Sequence, residues 1–229
     1  KRPTMGFGGG VTYTFSKSMD DASSIGGGGA VVAQDDQNLA AEWGLSSFDQ
    51  RHRLSGDFTL ELPFGPNRPW LSGEGFWGYV FGGWGWTTNV TLASGNPLTA
   101  RLLSNAADVA RGTNGTLRAD WNGQPIALDN PTQLKFFNTA AFSVPAPGTY
   151  GNAGRNTIPG PGNLNVNMSL AKNFRLPANR NINVRVQANN VFNMVQWGGV
   201  DTVVNSPTFG QITSVRPMRS VQILARVSF

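Results

Sequence analysis

Ser220-Val221-Gln222-Ile223-Leu224-Ala225-Arg226-Val227-Ser228-Phe229 closes the chain, and its side chains alternate in character. Val221, Ile223, Ala225, Val227 and Phe229 fall on one side. Gln222, Arg226 and Ser228 fall on the other, with Leu224 the exception. Period two marks a strand with two unlike faces. The pattern recurs upstream in residues 11–16, 53–62, 84–92, 163–170 and 181–188. Leu54, Phe58, Leu60 and Leu62 oppose Arg53, Asp57 and Glu61; Ile182, Val184, Val186 and Ala188 oppose Asn181, Asn183, Arg185 and Gln187. With their flanks most of these runs reach about ten residues, longer than the usual five or six of a globular strand. The length suits a tilted strand crossing a bilayer, ~9–11 residues. A sandwich in water shows the same alternation, so the connections must decide.

The connections are unequal. Antiparallel succession puts 19–49, 95–161 and 194–216 at one end of the strands, and the shorter 63–82 and 177–180 at the other. Long loops at one end and short turns at the other are the asymmetry of outer-membrane barrels. Structureless connections this long are unusual in a compact soluble domain. Phe64, Trp70, Phe76, Trp77, Trp84, Trp86 and Phe229 collect at or near the short-turn end, where such barrels carry an aromatic girdle. The expected fold is therefore all-β: an antiparallel transmembrane β-barrel segment of about six to eight long strands with long outer loops. Two further strand candidates lie at 69–81 and 97–104.

Composition narrows the function. Of 229 residues 29, about 13%, are Gly and 14% are charged, against ~7% and ~25% in ordinary domains. Gly, Pro, Asn and β-branched residues, without 3.6 periodicity, argue against helices. The absence of Cys excludes disulfides, thiolate metal sites and cysteine nucleophiles. A single His, His52, excludes multi-histidine metal sites, and its neighbours Arg51 and Arg53 suit a loop anchor better than a general base. The net charge of +5 is scattered, so no nucleic-acid partner is expected. No run of ~18 apolar residues forms a transmembrane helix. The chain does not begin with Met and shows no signal peptide, so it reads as mature, processed or a fragment.

Ordered motifs carry a family resemblance. They begin with Tyr13-Thr14-Phe15-Ser16-Lys17-Ser18-Met19-Asp20, Phe48-Asp49-Gln50-Arg51-His52-Arg53 and Leu62-Pro63-Phe64-Gly65. Gly82-Gly83-Trp84, Ser94-Gly95-Asn96-Pro97-Leu98-Thr99, Phe137-Asn138-Thr139-Ala140-Ala141-Phe142 and Gly151-Asn152-Ala153-Gly154-Arg155-Asn156 follow. Gly160-Pro161-Gly162, Lys172-Asn173-Phe174, Asn189-Asn190-Val191-Phe192-Asn193 and Phe209-Gly210-Gln211-Ile212 complete the series. Together they resemble the C-terminal barrel portion of TonB-dependent outer-membrane receptors of the Oar-like type. The resemblance implies a place in the outer membrane of a Gram-negative bacterium and active uptake of a scarce, bulky ligand, powered through TonB. Full members close ~22 strands around an N-terminal plug. On this resemblance residues 1–229 are the C-terminal part of such a barrel, without plug or N-terminal domains. The expected partners are outer-membrane lipid, TonB through the missing N-terminal part, and the remaining barrel strands or other copies of the chain. The terminal strand, Val221, Ile223, Ala225, Val227 and Phe229, resembles the signal read by the barrel assembly machinery, which captures an unpaired edge.

Arg53, Asp57, Glu61, Arg185 and Arg226 are the candidate lumen-facing polar residues, with ion pairs between strands if the register permits. Asp20-Asp21 and Asp35-Asp36-Gln37-Asn38 offer oxygen ligands for Ca²⁺ but lack EF-hand spacing, and solvated loop carboxylates are the simpler reading. Gly26–Gly29 reads as a loop tip, since no Lys-Ser/Thr follows it. Trp121, Phe136, Phe137, Phe142 and Tyr150 in the longest loop either stack on sugars or pack the loop together. No catalytic residue, metal or cofactor is called for. An alternative is a structural or interaction protein whose open strand edges self-assemble into a multimer or surface fibre. An extracellular enzyme or lectin would need a convergent polar site that the sequence does not offer.

Overall fold

A computed structural model describes residues 6–21, 33–65, 68–71, 75–109, 117–177 and 180–229. The Gly26–Gly29 run and residues 178–179 of the last short turn lie outside them. Six long strands, β1 (Phe7–Phe15), β4 (His52–Glu61), β5 (Trp84–Ala93), β8 (Asn163–Leu176), β9 (Arg180–Asn189) and β10 (Ser220–Ser228), form one sheet in the order β1-β4-β5-β8-β9-β10. Every pairing is antiparallel between neighbours in the chain order of long strands. The short strands pair apart from it: β2 (Met19–Asp20) with β3 (Gly44–Leu45), and β6 (Asp120–Trp121) with β7 (Phe142–Ser143).

Register carries the alternation across the whole sheet. Phe7, Leu60, Trp86, Leu170, Val186 and Ile223 form one continuous row, and Asp57, Asn89 and Asn167 form another. A slip of one residue in any strand would put its apolar set among the polar side chains. Strand β1 starts four residues before the expected run because Gly8, Gly9 and Gly10 pair with Thr59, Phe58 and Asp57. A Cβ on Gly9 would stand 2.6 Å from the Phe58 ring, so glycine lets that ring lie across the neighbouring strand. Strand β8 runs on to Leu176 past Lys172, a charged residue within its apolar set.

The two further strand candidates are corrected. Residues Phe76–Phe81 form a short helix, α1, and the 97–104 stretch makes only isolated bridges at Leu98 and Arg101. FWGYVF is apolar all round, so neither period is imposed locally, and its packing decides its form.

Among the described residues, the buried apolar ones lie almost entirely outside the sheet. Ala100, Leu102, Leu117, Ala119, Phe137, Ala141, Phe142, Ala153, Ile158 and Ile212 are buried within the loops at the end opposite α1. Three connections meet there in one cap. Arg101 N–H donates to the Thr202 carbonyl and Phe136 N–H to that of Gly210, tying the 94–162 loop to the 190–219 loop. Gln34 Nε2 donates to the Gly151 carbonyl at 2.8 Å, bringing in the first loop. The rings of Phe137, Phe142 and Phe209 meet edge to face, so the loop aromatics chiefly pack, while Trp121 stays exposed with its Nε1 donating to the Gln124 carbonyl. Backbone approach is close enough that a Cβ on Gly95 would stand 2.1 Å from the Gly160 oxygen.

Candidate functional site

The sheet presents two surfaces of opposite chemistry. On one, Phe7, Val11, Tyr13, Phe58, Leu60, Trp86, Leu164, Val166, Val184, Ile223 and Val227 stand side by side, and many are exposed. Among the described residues no second sheet covers them. Ten residues of β4 at a rise of ~3.4 Å and a tilt of ~40° span ~24 Å, close to the ~25 Å apolar band of an outer-membrane barrel. Aromatic residues mark both ends of this face. Tyr13, Phe15 and His52 cluster at the loop end, with 2.8 Å between Tyr13 Oη and His52 Nδ1. Phe64, Trp70, Phe76, Trp77, Phe81 and Trp84 gather at the other end.

The second surface is a field of amides and hydroxyls. Asn89 Nδ2 donates to Asp57 at 2.7 Å, Asn183 Nδ2 to Asn173 at 2.7 Å, and the Thr87 and Ser169 hydroxyls lie 2.7 Å apart. Such cross-strand pairs stabilise register while leaving a hydrated surface. Arg53, Asp57, Glu61, Arg185 and Arg226 all occupy this face by register. They are not gathered into one site. Strands β5 and β8 separate Asp57 from Arg185, so the register gives no pair between them. Glu61 instead pairs with Arg68 in the following connection. Arg185 stands between Ala171 and Leu224, and Arg226 opposite Asn183. Val221, Ile223, Ala225 and Val227 border the sheet's edge on the apolar face, with Phe229 just beyond the strand, and among the described residues β10 pairs only with β9.

The cap holds a charged network that single-residue reading missed. Glu42 Oε2 accepts from Arg118 Nη1 at 2.8 Å, and its Oε1 accepts the Gln34 N–H at 3.1 Å. Arg155 Nη1 donates to the Glu42 carbonyl at 2.8 Å and its Nη2 to Asp20 at 3.3 Å. Burial lowers the pKa of the Arg118 guanidinium; the charge and hydrogen bond of Glu42 oppose this, and Arg155 adds to the fall. Nothing marks these distant residues as partners in sequence. Asp20 thus serves an ion pair, and Asp35 accepts the Gln37 N–H. Among the described residues no group of three or more metal-ligating side chains forms a cation site.

One long-strand meander, a bare apolar face of bilayer height and an amide-rich reverse together define the architecture. A family model described as an outer membrane beta barrel domain matches residues 1–222. The chain belongs to the outer-membrane β-barrel domain family. It is accordingly a protein of the Gram-negative outer membrane. Comparison with curated proteins and with solved structures gives no match. For a barrel domain, the six-stranded sheet is an open segment: β1 and β10 remain at its edges, and the smallest barrels need eight strands.

Proposed function

We propose that this sheet is part of the wall of a TonB-dependent transporter, of the Oar-like type, for active uptake of a bulky ligand. The open six-stranded wall carries the reading: its two free edges call for further strands, and the motif resemblance supplies a larger barrel. In this reading the apolar face meets outer-membrane lipid. The reverse, with Arg53, Asp57, Glu61, Arg185 and Arg226, lines a wet lumen. The folded cap forms the ligand-facing rim. TonB engages a part of the protein outside this chain, and the segment itself performs no catalysis. The exposed β10 edge with terminal Phe229 serves the assembly machinery, so deleting Phe229 should lower the heat-modifiable outer-membrane fraction several-fold; unchanged insertion would remove that role.

The deciding experiment is cross-linking of the full-length protein to TonB in intact cells. A TonB adduct that strengthens as ligand-bearing medium is supplied supports transport. Its absence, with uptake insensitive to collapse of the proton gradient, refutes it. The free edges also favour a second reading, self-assembly of copies through β1 and β10. Thr12→Cys and Gln222→Cys in one chain would then give a disulfide-linked ladder in native membranes, whereas a wall segment of a single barrel would not.

A further inference from the structure

Helix α1 belongs neither to the sheet nor to the cap. It folds back over the apolar face at the ends of β5 and β8. Trp84 Nε1 donates to the Val80 carbonyl at 3.1 Å, Tyr79 Oη to the Arg175 carbonyl at 3.2 Å, and the Tyr79 ring lies 5.8 Å from that of Phe174. Lys172 explains the attachment. It stands in register opposite Trp84 and Val184, within the apolar row set, yet is only 6% exposed. Its Nζ donates to the carbonyls of Tyr79 and Val80, the latter at 3.1 Å, and lies 4.6 Å from the Phe174 ring centre. An ammonium has three donors and no acceptor, and the last carbonyls of a helix have no partner within it. A charge that is costly against hydrocarbon is thereby matched to oxygens that need donors.

The side of α1 turned away from the sheet carries no charge. Phe76 is 70% and Trp77 62% exposed, and Leu71 borders Val80 and Phe81. Trp77 and Phe81 stack with centroids 5.7 Å apart. These rings continue the apolar face of the sheet beyond the ends of its strands. Aromatic side chains of this kind favour the boundary between head groups and acyl chains.

We infer that α1 is a membrane foot: it lies outside the barrel wall, in the head-group boundary of the leaflet at the short-turn end, and its partner is phospholipid. Lys172 is the positioning residue that holds it down. This rests on the assignment of the apolar face to lipid made above, and continuity with that face identifies the occupant. The chain contains no Cys, so with any Cys elsewhere in the full-length protein replaced by Ser, single nitroxide labels report cleanly. The full-length protein in phosphatidylcholine bilayers would carry a label at Phe76→Cys or Trp77→Cys, with Ile223→Cys and Thr59→Cys marking the two sheet faces. Power saturation with oxygen and a water-soluble nickel chelate measures depth. The expected result is oxygen-dominated access at 76 and 77, shallower than at 223. Lys172→Met should then make the α1 label more mobile and more nickel-accessible while the 223 label stays unchanged. Nickel access at 76 and 77 equal to that at 59 overturns the inference, as does exclusion of both reagents, which would mean a protein partner or second copy covers α1. Nickel access at 223 itself would overturn the face assignment instead; lipid at 223 with water at 76 and 77 would remove only the foot.

Discussion

Replacing Glu42 with Ala should open the loop cap while leaving the sheet intact. The carboxylate is buried with a side-chain exposure of 7%, beside an Arg118 side chain at 4%. It accepts from Arg118 and from Gln34, and Arg155 Nε lies 3.8 Å from it. Without it Arg118 retains the Ala41 carbonyl at 3.2 Å, and its buried Nε has no acceptor among the described residues. Stranding one partner of a buried ion pair costs about 3–5 kcal/mol. At 1.4 kcal/mol per factor of ten, amides that exchange through cap opening should exchange about a hundredfold to a few thousandfold faster. The reporters are Arg118 N–H, bonded to Gln34 Oε1 at 3.0 Å, and Ala153 N–H, bonded to the Ala119 carbonyl at 3.0 Å. Hydrogen exchange read by mass spectrometry resolves them from strand peptides. Glu42→Gln should fall between, since its amide oxygen still accepts. The double variant Glu42→Met/Arg118→Met should restore most of the protection, because apolar side chains of similar volume replace a buried pair at little net cost. Exchange within threefold of wild type in Glu42→Ala, or a double variant as open as the single one, would refute the reasoning.

Three further outcomes test other levels of the structure. Phe137→Ala empties a site that is 1% exposed at the centre of the cap core, and should destabilise the cap by about 3–5 kcal/mol in the same exchange assay. Asp201 is pushed up by burial, but hydrogen bonds from Ser206, Thr208 and the Val203 N–H, with the charge of Arg101, outweigh this and hold it below the usual carboxylate range. Its contribution is therefore complete above the ordinary carboxylate pKa near ~4 and is lost as pH falls through the lower folded value; Asp201→Asn should flatten that acid-side decline in cap melting followed by near-ultraviolet circular dichroism. Val186→Arg, on the apolar face between Leu170 and Ile223, should destabilise the membrane-folded protein by about 2–4 kcal/mol in denaturant titrations in bilayers, whereas Gln187→Arg on the reverse should change it little.

Alternation made the sheet legible because each strand states its two faces within itself. The expected runs coincide with β4, β5, β9 and β10 to within a residue or two, and their shared phase anticipates the register. Where a strand is interrupted, the local signal fails for reasons visible in the fold. The expected run in β1 begins only at Val11, because the ring that fills the face at Gly9, Phe58, lies on another strand. The expected run in β8 ends at 170, before Lys172, since the carbonyls that receive its ammonium belong to α1, more than ninety positions away. The five polar candidates share one face by register, and their spacing along and across strands disperses them. The cap was illegible for a different reason. Its core is made of Ala, Leu, Phe and Ile at irregular intervals, and its charged network joins Asp20, Glu42, Arg118 and Arg155. Only chain closure brings them together.

The division between sheet and cap bears on what stabilises each. A sheet with one apolar face in water requires a second layer to bury it. Here Phe58, Leu60 and Val184 remain partly open and Val227 and Ile223 exposed, while the residues that do form a core stand in the loops. The cap can therefore hold itself together by burial, but the sheet cannot. Its ladder hydrogen bonds satisfy the backbone within the sheet but leave the outer edges of β1 and β10 to be paired by further strands, as any bilayer-spanning sheet requires, and in the proposed reading hydrocarbon supplies the missing layer. The apolar row from Phe7 to Ile223 thus specifies orientation in the membrane, the cap core specifies loop structure in water, and the aromatic residues mark the borders between those two solvents.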